Sequence, residues 1–353
     1  MKIALVYEYL TQLGGGERVL QTLCEMFPEA PIYTLIYDEK TTNDAFKNRK
    51  IYTSFLQKIP GSKKFFRSFI WLMPLAVEQF DLSNFDLVIS ISHSYGKGII
   101  TKPGTRHVCY CLTPTRYLWS DPGLPFKSIS RFILTYLRIW DYQAAQRVDY
   151  FIADSKNVQQ RIKKYYGRES ELIYPPVETG KFYISQNPKN YFLMVGRQVP
   201  YKRFDLAIKA FAKLPNEQLL IIGDWPFYSR LKIKKFKAKN IKFLGRVSEK
   251  ELTRYYADCK ALIFPQEEDF GIVPVEAMAA GRPVISYRAG GALETVVEGE
   301  TGAFFNEQTP ESLTEAVKNF REQKFNPDII RKWASKFDKE IFKKKFTELI
   351  AKM

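Results

Sequence analysis

Only two histidines, His93 and His107, and four cysteines, Cys24, Cys109, Cys111 and Cys259, occur among 353 residues. No Cys-x-x-Cys or Asp-x-Asp pair is present, so the sequence offers no evident set of borderline or hard metal ligands, and only carboxylates gathered by folding would make one. Neither a metal nor a cofactor is expected. Cys109 and Cys111 would share one face of a strand, and all four cysteines read as reduced core residues. No apolar run approaches the roughly 20 residues that span a bilayer, and no signal-peptide pattern precedes Lys2-Ile3-Ala4-Leu5-Val6-Tyr7, which points to the cytoplasm. No internal repeat, low-complexity tract or nucleic-acid-binding signature is found, so a nucleic-acid partner is not expected.

What is present is an ordinary globular composition, 45% hydrophobic and 26% charged, with length for two domains. The formal charge of +16 favours an anionic partner: a phosphorylated substrate or an anionic membrane surface.

Apolar, β-rich runs alternate with helical patterns, which predicts an α/β chain of parallel sheets covered by helices. The first set is Ile3 to Tyr7, Ile32 to Ile36, Leu87 to Ser90, Val108 to Cys111, Tyr150 to Ala153 and Leu172 to Tyr174. The second is Tyr191 to Val195, Gln218 to Ile222, Ile241 to Leu244, Ala261 to Phe264 and Pro283 to Ser286. Between them, Tyr174-Pro175-Pro176-Val177-Glu178-Thr179-Gly180 interrupts regular structure and marks a hinge. The expected division is an N-terminal Rossmann-like domain over residues 1–175, a linker over 176–190, a second Rossmann-like domain over 191–335, and a C-terminal helix over 336–353 that stays on the second domain or crosses back. In such sheets ligands bind beyond the carboxyl ends of the strands, so function is sought in the strand-to-helix loops and the cleft they face.

Three loops carry candidate chemistry. Gly14-Gly15-Gly16-Glu17-Arg18 opens a helical pattern, where glycine lets backbone N–H groups approach an anion; a plain flexible turn explains it as well. Gly196-Arg197-Gln198-Val199-Pro200-Tyr201-Lys202-Arg203 puts a guanidinium and an ammonium at the end of a strand, suited to a diphosphate, although solvated surface charge is the simpler account of either cation alone. The third runs from Glu267-Glu268-Asp269-Phe270-Gly271 into a helix from Ile272 to Ala280. Here carboxylates suit vicinal hydroxyls, Glu276 those of a ribose and Glu268 those of a sugar.

With those residues in view, the chain resembles the family 4 glycosyltransferases, a retaining, nucleotide-sugar-dependent group of GT-B fold. The resemblance rests on Gly196-Arg197 through Lys202, on Glu268-x-Phe270-Gly271 to Glu276, on Gly281-x-Pro283-Val284, on Gly290-Gly291 and Glu294, and weakly on Gly14 to Arg18. The run Cys109 to Trp119 is most similar to bacterial mannosyltransferase-like enzymes of surface polysaccharide and lipopolysaccharide assembly. It implies that Arg197 and Lys202 hold the leaving diphosphate, that Glu276 binds the ribose, and that Glu268 with Phe270, Gly271 and Ile272 clamps the donor sugar. Gly15 and Gly16 would meet the phosphates, and Leu112 and Arg116 would join the substrate contacts. Many relatives have histidine where this chain has Leu112, a departure that bears on donor choice between a mannose-like and a 6-deoxy hexose.

The expected activity is transfer of a hexosyl group from a GDP- or UDP-linked donor to a glycan or polyprenyl-diphosphate-linked acceptor. A nucleotide-sugar 2-epimerase and a non-catalytic nucleotide-sugar-binding protein are the alternatives. The segment Lys58 to Leu75 reads as a basic, aromatic-rich helix suited to the inner face of the cell membrane, or equally as a core helix with a solvated edge.

Overall fold

The structure, a computed structural model, describes residues 1–120, 131–223 and 238–353, with the side chain of Arg67 also left out. Two compact units account for the chain: Met1–Tyr174 with Lys345–Met353, and Pro175–Lys344. The boundary falls at Tyr174-Pro175, inside the Pro-Pro interruption.

In the first unit seven parallel strands, β1 (Ile3–Leu10), β2 (Ile32–Tyr37), β3 (Ile51–Thr53), β4 (Leu87–Ser92), β5 (Arg106–Cys111), β6 (Tyr150–Ala153) and β7 (Glu171–Leu172), lie in the order β3-β2-β1-β4-β5-β6-β7. β1 and β4 are almost wholly buried, as continuous apolar runs should be in a sheet covered on both faces. The chain winds outward from β1 to β3, returns, and winds the other way from β4, so the order reverses between β1 and β4. Helix α1 (Gly15–Met26) follows β1, and helix α2 (Arg131–Gln146) precedes β6.

In the second unit six parallel strands, β8 (Phe192–Val195), β9 (Leu219–Ile222), β10 (Ile241–Gly245), β11 (Ala261–Phe264), β12 (Val284–Tyr287) and β13 (Gly302–Phe305), lie in the order β10-β9-β8-β11-β12-β13. Here the order reverses between β8 and β11. Helices α3 (Phe204–Ala212) and α4 (Ile272–Ala279) follow those two strands directly. The core under α3 joins Phe192, Phe204, Ile208, Phe211 and Ile263. The last helix, α5 (Lys339–Lys352), ends among the residues that cluster with the first unit, where Phe346 is buried and its ring lies 6.4 Å from that of Phe27.

One expectation is corrected. Lys58 to Leu75 is no single helix; it is broken into a 3-10 turn at Phe55–Lys58, a helical turn at Ser62–Phe65, another 3-10 stretch at Phe66–Leu72 and the start of a short helix at Met73–Glu78. Gly61 sits at φ +75° and Phe69 at φ −101°, ψ 21°, and each ends the helical run. The breaks let Phe66, Phe69, Ile70 and Leu72 turn onto the sheet core. Phe65, Trp71 and Leu75 stay exposed, at 57%, 52% and 50%.

Candidate functional site

In the second unit the rule that ligands gather where strand order reverses selects the loops after β8 and β11. β8 ends at Val195, and the chain passes through Gly196 at φ +149° into a 3-10 turn at Pro200–Lys202. A Cβ on Gly196 would meet Lys202 Nζ at 3.1 Å, so the glycine lets the lysine fold back over the strand end. There Lys202 Nζ meets Glu268 Oε1 at 3.0 Å. Burial alone would lower the Lys202 pKa, but the charge of Glu268 outweighs it and the pKa is raised. Arg197 is exposed at the same loop.

Two ties hold the loops in register. Arg203, left-handed at φ +55°, donates from Nη1 to Gln308 Oε1 at 2.6 Å, while Gln308 Nε2 donates to the Pro265 carbonyl at 2.9 Å. Gly290 and Gly291 back the acidic loop. The Gly291 N–H donates to the Glu268 carbonyl at 2.8 Å, and a Cβ on Gly291 would lie 2.3 Å from the Phe270 carbonyl oxygen. That approach is closed to any other residue.

Gly271, at φ +86°, turns the chain into α4, which Ile272 opens, and Phe270 is buried with its ring 5.5 Å from that of Phe337. Glu276 lies one turn inside α4, buried, with its Oε2 accepting from the Tyr256 hydroxyl at 2.7 Å. The structure thus brings Lys202 against Glu268 and puts Phe270, Gly271 and Ile272 in the same turn, while Glu276 faces Tyr256.

Gln198 and Gln266 were not singled out by the sequence. Gln198 is buried between Arg197 and Lys202, with neither amide atom hydrogen-bonded among the described residues. Gln266 is buried and donates to Glu268 Oε1 at 3.2 Å. Each sits next to a charged residue in a strand-to-helix loop, so nothing in the local sequence marks it as buried.

In the first unit the corresponding loops follow β1 and β4. Gly15 and Gly16 open α1, and the Gly14 N–H is already taken by Glu17 Oε2 at 2.8 Å. A Cβ on Gly16 would meet the Tyr7 hydroxyl at 2.5 Å and Leu112 Cδ1 at 2.8 Å, so a larger residue there would have to displace both side-chain ends. Leu112 follows β5, its N–H donating to the Ser92 carbonyl at 2.8 Å. Arg116 begins a helical turn, Arg116–Trp119.

That turn is anchored from below by a buried ion pair. Lys97 Nζ lies 2.5 Å from Asp141 Oδ1, and the carboxylate also accepts from Thr115 Oγ1 at 2.7 Å, Trp119 Nε1 at 2.7 Å and the Tyr166 hydroxyl at 2.8 Å. A charge this deep is tolerable because every lone pair has a donor.

Sequence reasoning also passed over Glu8 and His93. Glu8 is buried within β1, and its Oε1 accepts from Ser92 Oγ and from the backbone N–H groups of His93, Ser94 and Gly96. His93 Nδ1 stands 3.0 Å from its other oxygen. Among the described residues no group of three or more His, Cys, Asp or Glu side chains is placed to hold a metal ion, and no helix is long and apolar enough to cross a membrane.

Two family models match the chain, "Glycosyltransferase Family 4" over residues 13–181 and "Glycosyl transferases group 1" over residues 180–337. An uncharacterized glycosyltransferase of Methanocaldococcus jannaschii is 27% identical, over 98% of this chain and 94% of the relative. The O-antigen chain mannosyltransferase RfbU of Salmonella typhimurium is 30% identical over 59% of this chain and 61% of its own. Among solved structures, Anabaena HepE in complex with UDP and glucose superposes with a TM-score of 0.75 at 19% identity over the whole of both chains, a likeness of fold.

Proposed function

The chain belongs to the family 4 glycosyltransferases of GT-B fold, and on that premise we propose that it moves a hexosyl group from a nucleotide diphosphate sugar to a glycan acceptor with retention of configuration. The observation that carries this reading is the Lys202–Glu268 pair at the strand-order reversal of the second unit, with Arg197 beside it. Cleavage of the anomeric carbon–phosphate bond builds negative charge on the departing diphosphate, and fixed cations lower the barrier most where that charge develops. Arg197 and Lys202 supply them without a metal or cofactor. Glu268, with the Phe270-Gly271-Ile272 turn, takes the donor sugar, and Glu276 the ribose once it exchanges its bond with Tyr256. The bond from acceptor oxygen to anomeric carbon forms as the phosphate bond breaks, and the hydroxyl proton passes to the departing phosphate oxygen.

Gly15, Gly16, Leu112 and Arg116 are the substrate contacts contributed by the first unit. A mannose-type donor is supported by the likeness to the O-antigen chain mannosyltransferase, a 6-deoxy donor by Leu112 alone, and a nucleotide-linked donor by the UDP in the HepE structure. A polyprenyl-diphosphate-linked acceptor fits the net charge of +16. Lys63 and Lys64 beside the exposed Phe65, Trp71 and Leu75 suit peripheral contact with an anionic membrane.

The test pairs donors with an acceptor. GDP- and UDP-hexoses are screened for thermal stabilisation, since a bound donor stabilises the folded state by mass action. Nucleotide release is then followed with and without polyprenyl-diphosphate-linked N-acetylglucosamine. Release that depends on the acceptor supports transfer. Conversion of donor without acceptor would instead show a 2-epimerase, and binding with no turnover a binding protein.

A further inference from the structure

The carboxyl edge of the first unit's sheet carries an imidazole that the donor chemistry does not use. His93 is the residue immediately after β4, at the point where strand order reverses against β1. Glu8 reaches across from β1 and its Oε1 gathers four donors from the turn, Ser92 Oγ at 2.8 Å and the N–H groups of His93 at 2.9 Å, Ser94 at 2.8 Å and Gly96 at 3.0 Å. This fixes the backbone of the turn. The second oxygen lies 3.0 Å from His93 Nδ1, so the carboxylate backs the ring with its negative charge. The His93 side chain is 38% exposed, and its Nε2 has no hydrogen-bond partner among the described residues. The rings of Tyr7 and Tyr9 stand beside it, with centroids 6.3 Å and 5.7 Å away. Tyr7 in turn closes on Gly16.

We propose that His93, backed by the Glu8 carboxylate and with the Tyr9 ring beside it, is a sugar-hydroxyl subsite of the first unit, its Nε2 accepting the hydrogen bond of an acceptor hydroxyl. The proposal rests on the glycosyl-transfer reading and names the group that positions the acceptor. A carboxylate-backed imidazole exposes a lone pair that suits a hydroxyl donor, and the half-buried Tyr9 ring beside it offers an apolar surface to the C–H face of a pyranose, while Tyr7 is buried beneath. An anion fits less well. Glu8 and, from α1, Glu17 face the ring with negative charge, whereas the cation that bears on it, Lys97, is held by Asp141.

The facing groups also give the pH dependence. They are Glu8, Tyr7 and Tyr9 on β1, Glu17 on α1, and Lys97 after β4. Burial would push the His93 pKa down, but Glu8 raises it more, and Glu8 itself is held down at about 2, so it stays ionised. Protonation converts Nε2 from acceptor to donor. Hydroxyl binding therefore strengthens as pH rises through the His93 midpoint.

Carbon-13 NMR of histidine Cε1 in the full chain tests this directly. Only two signals exist, and His107 is held down at about 3 by burial while His93 is raised above the ordinary imidazole value, so the signal with the higher midpoint is His93. Methyl α-mannoside, methyl α-glucoside and methyl N-acetyl-β-glucosaminide are the probes. The expected result is that at least one saturating hexoside lowers the His93 midpoint, because it binds the neutral ring, and that Glu8→Gln lowers the midpoint without sugar. A midpoint that holds or rises with every hexoside overturns the proposal, and needs no variant to fold. Donor stabilisation measured in the same samples keeps the two readings apart: donor binding with an unmoved midpoint sinks the subsite alone, whereas a moved midpoint with no donor binding sinks transfer and leaves a sugar site.

Discussion

Lys202 and Glu268, from the loops after two neighbouring strands, meet at 3.0 Å with side chains only 12% and 19% exposed. Each fixes the other, and the pair keeps an ammonium charged where an unpaired buried lysine would tend to lose its proton. Lys202→Ala and Arg197→Ala are each expected to lower kcat by on the order of 10²-fold with the fold intact, the exposed Arg197→Ala nearly neutral for the unfolding midpoint and Lys202→Ala lowering it because Glu268 loses its partner. Near-wild-type turnover in both would remove the diphosphate site. A chelator is expected to leave the wild-type rate unaltered, and loss of activity on chelation would overturn the metal-free mechanism.

Gly291→Ala tests whether the glycine pair holds the acidic loop. The new Cβ would press on the backbone carbonyls of Phe270 at 2.3 Å and Asp269 at 2.6 Å, neither of which moves without the loop. A loss of about 1–3 kcal/mol of stability is expected from overpacking, with a further loss of turnover as Glu268 shifts. Gly299→Ala is the control. It has φ +80° and open space around it, so it should cost about 1–2 kcal/mol of backbone strain and leave turnover alone. Equal activity losses in the two variants would show that the effect is merely instability.

Much of this architecture is legible in residue order, for physical reasons that differ from place to place. β11 runs over Ala261–Phe264 as read, because four buried apolar residues are bounded by Lys260 and Pro265. β3 at Ile51–Thr53 and β13 at Gly302–Phe305 escape notice, since β3 is a short, largely exposed edge strand and β13 a run of four that opens on glycine. The Lys58 to Leu75 stretch has helical spacing of apolar residues yet breaks at Gly61 and Phe69, where packing on the core overrides propensity. In the candidate site, Lys202 and Glu268 are legible singly through local motifs. The Glu8–His93 pair is not, because its partners lie 85 positions apart and meet only through the pairing of β1 with β4.

His107 gives a pH-dependent stability with a definite sign. It is fully buried on β5, its Nε2 2.8 Å from Ser90 Oγ, and burial first, then Arg147, depresses its pKa to about 3. The unfolded chain binds this proton near pH 6.5 and the folded chain does not, so stability falls as pH drops through the interval from about 6.5 to about 3. Between pH 7 and pH 5 the loss from this one group is about 2 kcal/mol. His93, with its raised pKa, works in the opposite sense, gaining stability as pH falls. Urea unfolding at both pH values, in the wild type and in His107→Gln, isolates the group. The variant should lose the larger part of the decline, and an unchanged decline would show that His107 is not its source.

The last prediction concerns Leu112 and donor choice. Leucine stands at the end of β5 with its Cδ1 against the position a Gly16 Cβ would occupy, so the group it presents beside the glycine loop is a methyl. A donor hydroxyl buried against it without a partner would cost roughly 1–3 kcal/mol, whereas the methyl of a 6-deoxy sugar would not. The Thr113 hydroxyl donates to the Pro114 carbonyl and that of Thr115 to Asp141, so neither proton is available to the sugar, and a partner for its hydroxyl would have to be a threonine lone pair, Arg116 or a water. Competing two donors that differ only at carbon 6 should therefore show the wild type accepting the 6-deoxy sugar at least as well as the hydroxylated one, and Leu112→His should shift the preference toward the hydroxyl. A wild-type preference of tenfold or more for the hydroxylated donor, about 1.4 kcal/mol, would mean that the group leucine was to exclude is bound instead.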